Sequence, residues 1–246
     1  MMNEPGLKDI WVYLSASPLL GLTITLVAYG LAYRLYLKTN SNPLANPVVT
    51  SVAMLIILLL ATGTSYNDYF EGGQFVHFLL GPATVALAVP LYQQFSRLRQ
   101  LWLPVTISLF CGVVIAAGSS IGLARLLGGS MEIQMSLAPK SATAPVAMGI
   151  SEKIGGLPSL TAVLVVITGI TGAVLGTKLF EWIRVRDDTA KGIAMGVAAH
   201  GIGTARAFQV SSQMGAFSGL AMALSAFATA LLVPWLVDML ASWLPV

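Results

Sequence analysis

The chain has 246 residues, with 13 Lys or Arg and 10 Asp or Glu, an apolar share of 56% and a mean hydropathy of +0.81. Charged residues make up 9%, against roughly 25% in an ordinary soluble domain. This composition excludes a disordered chain and a soluble globular protein. Six stretches long enough for a membrane-spanning helix, which needs about 20 apolar residues, carry no charge: residues 10–33, 39–67, 72–96, 100–124, 154–177 and 207–237.

The hydrophobic segments predict an all-α, polytopic membrane protein. Its uniform segments predict about five transmembrane helices, at residues 18–36, 48–64, 101–127, 160–180 and 217–240. No linker is long or biased enough to mark a second domain, so residues 1–246 are expected to form a single transmembrane domain. Glycines four residues apart are expected to bring helices close together: Gly118 and Gly122, Gly172 and Gly176, Gly192 and Gly196, Gly215 and Gly219.

Three more apolar segments, residues 75–92, 131–150 and 191–210, are interrupted and are predicted to be broken or re-entrant. The residues expected to break their helices are Pro82, Pro139, Pro145, Gly201 and Gly203. Non-helical backbone at membrane depth is tolerated only inside protein or beside a water-filled cavity, and transporters build substrate sites from paired broken helices. Pro82 and Pro139 stand in similar strings, Leu-Gly-Pro-Ala-Thr and Leu-Ala-Pro-Lys-Ser, which indicates an internal repeat of the transporter type.

Lysine and arginine in short loops predict the orientation of the chain. The pairs Arg34/Lys38 and Arg97/Arg99 and the loop at residues 178–191 are expected to be cytoplasmic. Three segments separate the last two sites, so one of them must re-enter the membrane. Residues 131–150 are predicted to do so because they hold two prolines and a lysine; the alternative is that residues 75–92 re-enter.

Lys140 is a charge inside an apolar segment, next to an expected helix N-terminus. A lysine there would attract an anion together with the helix dipole. The alternative is a surface loop in which the Lys140 side chain reaches water.

His200 and Arg206 flank a glycine-rich stretch in the third interrupted segment. Histidine can carry a proton near neutral pH, and arginine can hold a carboxylate with two hydrogen bonds. The alternative is a helix ending near Gly201, with Arg206 at a lipid headgroup and His200 hydrogen-bonded in the core.

The sequence contains no motif typical of the common catalytic, metal-binding or nucleotide-binding sites. The nucleophile elbow, the HExxH zinc motif and the P-loop do not occur, and the lone Cys111 has no metal-ligand spacing. We therefore expect no enzymatic activity, no cofactor and no metal site. The net charge of +3 comes mostly from loops, so nucleic-acid binding is not expected.

The motifs at residues 80–92, 139–147 and 199–206, with the step Asn46-Pro47, resemble the LrgB/CidB family over about residues 18–240. Pro-Lys-Ser and His-x-x-Gly-Thr-Ala-Arg together make the resemblance specific. Gly81 departs from the glutamine of some relatives, so a side-chain contact at this position does not carry over.

The resemblance implies a multi-pass protein of the inner (plasma) membrane that acts with a small LrgA/CidA-type membrane protein, as a homodimer or higher oligomer. Bacterial members of the family are described as holin/antiholin-like modulators of murein hydrolase export and autolysis. Plant relatives resemble this chain in their C-terminal half and transport glycolate and glycerate, and other members are linked to pyruvate.

Two main hypotheses follow. The first is an alternating-access transporter of small monocarboxylates, with proton symport through His200 as one coupling mechanism. Its substrate site would comprise Lys140, Ser141, Thr143, His200, Thr204, Arg206, Asn46 and Thr84. The second is a holin-like pore or regulatory membrane component, and a purely structural partner subunit is a third, weaker option.

Overall fold

The structure is a computed structural model and describes residues 18–39, 42, 45–79, 82, 85–86 and 88–243. Across these residues the chain is helical and contains no strand, which confirms the predicted all-α class. It divides into two compact units, Met1–Ala86 and Leu87–Val246.

The first unit contains three helices: α1 (Pro18–Lys38), α2 (Pro47–Thr62) and α3 (Tyr66–Phe78). Helix α1 packs against both α2 and α3. Its Gly21 allows the close approach of α3, because a Cβ there would overlap the backbone of Tyr69, and the hydroxyls of Thr25 and Tyr69 are 2.7 Å apart. Buried Asn46 caps α2, with its Oδ1 accepting hydrogen bonds from the backbone N–H groups of Val48 and Val49.

The second unit contains eight helices among the described residues: α4 (Ala88–Gln93), α5 (Phe95–Gln100), α6 (Trp102–Leu126), α7 (Met131–Leu137), α8 (Ala144–Lys153), α9 (Pro158–Trp182), α10 (Asp188–Val210) and α11 (Ser212–Trp243). Helix α10 packs extensively on α11 and also contacts α6 and α9, while α8 contacts α9 and α11.

Four of the described helices, α1, α6, α9 and α11, are long and apolar enough to cross a bilayer. They match four of the five predicted uniform segments. The remaining segment forms α2, an apolar helix of 16 residues. It begins at Pro47, one residue before the predicted start, and ends at Thr62, two residues before the predicted end, because the left-handed backbone of Gly63 (φ 67°) stops the helix.

Glycines bring the helices of the second unit together, as predicted for two of the four pairs. A Cβ at Gly172 or Gly176 would collide with Ala199 or Met195 of α10, and one at Gly192 or Gly196 with the backbone of α11. In contrast, a Cβ at Gly118 or Gly122 would have no neighbouring atom within 4 Å. The spacing therefore indicates packing only where a neighbouring helix lies opposite.

Candidate functional site

Helices α7 and α8 are joined by a turn at residues 138–143, and the segment is called here the first hairpin (residues 131–153). Its helices have only 7 and 10 residues, too few to cross a bilayer. Three buried hydroxyls join its two arms to the start of α9: the Thr161 hydroxyl donates to Ser151 Oγ (2.7 Å), and Ser136 Oγ accepts from the backbone N–H of Leu157 (2.8 Å). The short helices and the turn between them show an interruption in this segment, and the re-entry of residues 131–150 stays a prediction.

The tip of the first hairpin, residues 138–143, lies deep in the second unit. On one side Ala138 packs with Ala117 of α6, and on the other Ala142 packs with Val165 of α9. Both partners are interior residues of helices that are 25 residues long. Lys140, between Ala138 and Ala142, is therefore near the middle of the spanning helices.

Helix α10 is also a hairpin, called here the second hairpin (Asp188–Val210). Its helix is broken at His200, which has φ 40° and ψ −132°. The two ends lie together, because Ser211 Oγ donates to Asp188 (2.7 Å) and the Gln213 amide donates to Thr189 Oγ1 (3.0 Å). The sequence predicted that this segment is broken or re-entrant, and the structure shows that the chain turns back at His200.

The second tip is anchored to the middle of α9. His200 Nε2 lies 2.9 Å from the backbone oxygen of Val165. Because a carbonyl oxygen can only accept, Nε2 carries the hydrogen. The imidazole fits because Gly169 has no side chain, and a Cβ at Gly169 would lie 2.6 Å from His200 Cε1. Val165 thus contacts both tips, Ala142 of the first hairpin and His200 of the second.

A cavity of about 830 Å³ lies between α6, α9 and the first arm of the second hairpin. Its deep end is marked by Lys140, whose Nζ is 3.5 Å from Ser141 Oγ, and by Thr168 of α9. The other end is lined by Leu101, at the start of α6, and by Asp187. A single ammonium group thus faces a cavity whose walls are mostly apolar.

The open end of the cavity carries an ion pair. Arg97 of α5 donates to Asp187 at 2.7 Å, and both side chains are partly exposed. The same carboxylate caps the second hairpin by accepting the backbone N–H of Ala190 (2.9 Å). This hydrogen bond, helped by Arg97, lowers the pKa of Asp187 below its ordinary value.

The structure separates the residues predicted for the substrate site. Lys140 and Ser141 line the cavity. His200, Thr204 and Arg206 are buried outside its lining, and Thr143 precedes α8, with Pro145 in the first turn. Asn46 belongs to the first unit, and Thr84 lies outside the described residues.

The buried polar residues of the second hairpin bond to protein groups. Thr204 Oγ1 donates to the backbone oxygen of His200 (2.8 Å) and lies 2.9 Å from Ser218 Oγ of α11. Arg206 Nη1 donates to Gln209 Oε1 (3.1 Å). These contacts stabilise the turn of the second hairpin, so these side chains have a structural role in addition to the predicted binding role.

The breaks fall close to the predicted residues. Pro139 is buried in the tip of the first hairpin, and the helix of the second hairpin breaks at His200, one residue before Gly201. Gly203 is helical, and its missing side chain leaves room for Ala199 and for the Met195 oxygen of the opposite arm. Pro82 is helical and exposed, between residues outside the described part.

Sequence reasoning missed the polar residues that line the cavity from uniform helices, Ser108, Thr168 and Thr171. A lone hydroxyl residue in a spanning helix is common, so composition gives no reason to select it. The signal that could have found Thr168 is its position one residue before Gly169, which admits the tip of the second hairpin.

Comparison with known proteins identifies the family. A sequence model of the LrgB-like family matches residues 25–239. The uncharacterized protein YwbG of Bacillus subtilis is 34% identical over 220 residues, 89% of this chain and 97% of YwbG. Holin-like protein CidB of Staphylococcus epidermidis is 32% identical over 225 residues, covering 92% of this chain and 97% of CidB, and CidB of Staphylococcus aureus is 33% identical over 219 residues, 89% and 95%. No solved structure matches.

The chain belongs to the LrgB-like family, as its motifs predicted. With its four long apolar helices, it is a multi-pass protein of the bacterial inner membrane.

Proposed function

We propose that this LrgB-like protein transports small monocarboxylates of the glycolate, glycerate and pyruvate class by alternating access. The observation that carries the proposal is the position of Lys140, at the deep end of a cavity and level with the middle of α6 and α9. A charge at membrane depth is expensive and is generally kept for substrate or ion pathways.

The tip of each hairpin is also the start of a half-helix. Helix α8 starts at Ala144 after the first tip, and the second arm of α10 starts after His200. Helix N-termini carry partial positive charge, and transporters direct such ends toward anionic groups near the bilayer midplane. Together with the Lys140 ammonium, this arrangement favours one negative charge at the deep end of the cavity.

The cavity supports access from the cytoplasm. Its outer end lies beside Arg97 and Asp187, and the predicted cytoplasmic clusters, Arg99 and residues 178–191, belong to the same end of the unit. In an alternating-access cycle the two hairpins would move together against the uniform helices and open the Lys140 site to the other side.

The test is uptake of labelled glycolate and pyruvate by proteoliposomes. Uptake should saturate with wild-type protein and fall to background with Lys140→Ala. Lys153→Ala, an exposed lysine at the end of α8, is the matched control and should retain uptake. Equal uptake by wild type and Lys140→Ala would refute the site.

The second candidate is a holin-like component that modulates murein hydrolase export and autolysis. The name of the staphylococcal relatives, holin-like protein CidB, fits this candidate better than the transporter. A holin-like pore should release a trapped fluorescent dye from the same vesicles, without saturation and independently of Lys140. Dye release without saturable uptake would favour the pore.

Two assembly proposals accompany either function. We propose that the two units act as one transmembrane domain, because the family match runs across both of them. We also propose that the chain acts as an oligomer with a small LrgA/CidA-type membrane protein. Co-purification of the two tagged proteins from one membrane extract tests the partner, and the mass of the complex gives the oligomeric state.

A further inference from the structure

The cavity is much larger than the carboxylates named above. It measures about 830 Å³, whereas a water molecule takes about 30 Å³ and a two- or three-carbon acid replaces only a few waters. Cavities of this volume are typical of larger ligands, which bury most of their surface against apolar walls.

One wall of the cavity is a row of exposed alanines on the first arm of the second hairpin. Ala190, Ala194 and Ala198 are spaced by four residues, so they lie above one another on one helix face. The row extends over about 12 Å at 1.5 Å per residue. Bulkier Ile193 and Val197 border it, so the row forms a shallow apolar channel.

The row has a polar group at each end. At the deep end, Ala198 adjoins Ala199, which packs on Gly172, and Gly172 lines the cavity with Lys140 and Thr168. At the outer end, Ala190 is followed by Thr189 and Asp187.

The wall opposite the alanine row is apolar over most of its length. Pro104, Val105, Gly112 and Ile115 of α6 line the cavity there, and Ser108 interrupts them. A ligand that fits has one anionic end and an apolar body directed toward the cytoplasmic opening.

We infer that the site accepts monocarboxylates with an unbranched apolar chain, and that the alanine row limits the length of the chain that can bind. This inference rests on the proposed function, since it places the carboxylate at Lys140. The chain would lie along Ala198, Ala194 and Ala190 in that order. An extended chain advances about 1.2 Å per bond, so one step of the row corresponds to about five bonds.

The experiment measures how 2-hydroxycarboxylates of two to twelve carbons inhibit labelled glycolate uptake by the full-length protein in proteoliposomes. These acids stay ionised at pH 7, which limits passive entry. With wild type, the inhibition constant should fall about two- to fourfold for each added methylene that the wall covers.

Leucine substitutions along the row should shorten the accepted chain stepwise. Ala198→Leu should weaken binding of all but the shortest acids, Ala194→Leu should remove the gain beyond about five bonds, and Ala190→Leu should affect only the longest acids. Ala223→Leu, an exposed position on α11 outside the cavity lining, is the matched control and should keep the wild-type series.

The possible outcomes separate this inference from the proposed function. Saturable glycolate uptake with no gain from longer chains overturns the inference and leaves the transport proposal intact. The series of acids measured with wild-type protein is enough to test the gain with chain length, so this test remains valid even if a leucine variant fails to fold. Absence of carboxylate uptake, with equal results for wild type and Lys140→Ala, overturns both.

Discussion

The two hairpins of the second unit meet at the same level of α9 but have very different tips. The first turns through residues 138–143 and presents Lys140 and Ser141 to the cavity. The second turns at the single residue His200, whose ring is buried against Val165 and Gly169. One tip exposes polar groups to the cavity, whereas the polar group of the other binds to α9 and holds that tip in place.

The attachments of the two hairpins to the rest of the unit also differ. Buried hydroxyls hold the first hairpin to α9, through Ser136, Ser151 and Thr161. Partly exposed charged and polar groups close the base of the second hairpin, through Asp188 and Ser211 and through the cap at Asp187. The first hairpin is thus held by buried contacts and has a cavity-facing tip, and the second is fixed at its tip with a base in reach of water.

The largest expected effect is on the narrow turn of the second hairpin. Gly203→Val should place atoms where Ala199 and the Met195 oxygen now lie, at 2.6 and 2.9 Å from a Cβ. Overpacking of this kind costs about 3 kcal/mol or more, so the variant should unfold or lose most of its thermal stability. Thermal unfolding in detergent, followed by tryptophan fluorescence, measures the loss.

Gly149→Val is the matched control in the first hairpin, because a Cβ there meets nothing within 4 Å. It should change stability by less than about 0.5 kcal/mol. Equal destabilisation by the two substitutions would contradict the contrast between the hairpins.

The next largest effect is expected at the cavity-facing tip of the first hairpin. Lys140→Met keeps the length of the side chain and removes its charge, so glycolate uptake should fall about 10- to 100-fold, the loss expected for a hydrogen bond to a charged group. Stability should stay the same or rise, because the ammonium is no longer held among apolar side chains. The paired measurement of uptake and thermal unfolding checks both parts. A large loss of stability would mean that Lys140 braces the hairpin.

Most of the spanning helices and the interrupted segments could be predicted from the sequence, because charge-free length and prolines act locally. Lys140 was found because it is a lone charge in such a segment. The position of His200 and Arg206 outside the cavity lining could not be found, because it depends on the turn at one residue that folds α10 back on itself. A histidine with a positive φ is rare, and the flanking Gly201 and Gly203 made their own positions the expected break.

A smaller effect is expected where the first hairpin is held to α9. Thr161→Val keeps the shape and removes the hydroxyl that donates to Ser151, so it should lower the free energy of unfolding by about 1–2 kcal/mol. Thr171→Val is the control, since that exposed hydroxyl donates only within its own helix. Denaturant titration in mixed micelles compares the two. Equal losses would mean that the buried hydroxyl contacts do not hold the first hairpin to α9.

The smallest effect is expected at the base of the second hairpin, where the charge of Asp187 acts in reach of water. Because its pKa is lowered in the folded protein, Asp187 stabilises the fold above the ordinary carboxyl pKa, and this contribution disappears as the pH falls through the folded value. Asp187→Ala should cost about 1 kcal/mol at pH 7 through the lost cap, whereas Asp187→Asn, which can still cap, should cost only a few tenths. The differences in free energy of unfolding between wild type and each variant should become smaller as the pH is lowered below the ordinary carboxyl pKa. Unfolding curves measured at several pH values test whether Asp187→Ala is less stable than Asp187→Asn. If Asp187→Asn cost as much as Asp187→Ala, the ion pair with Arg97 rather than the cap would hold the base of the second hairpin.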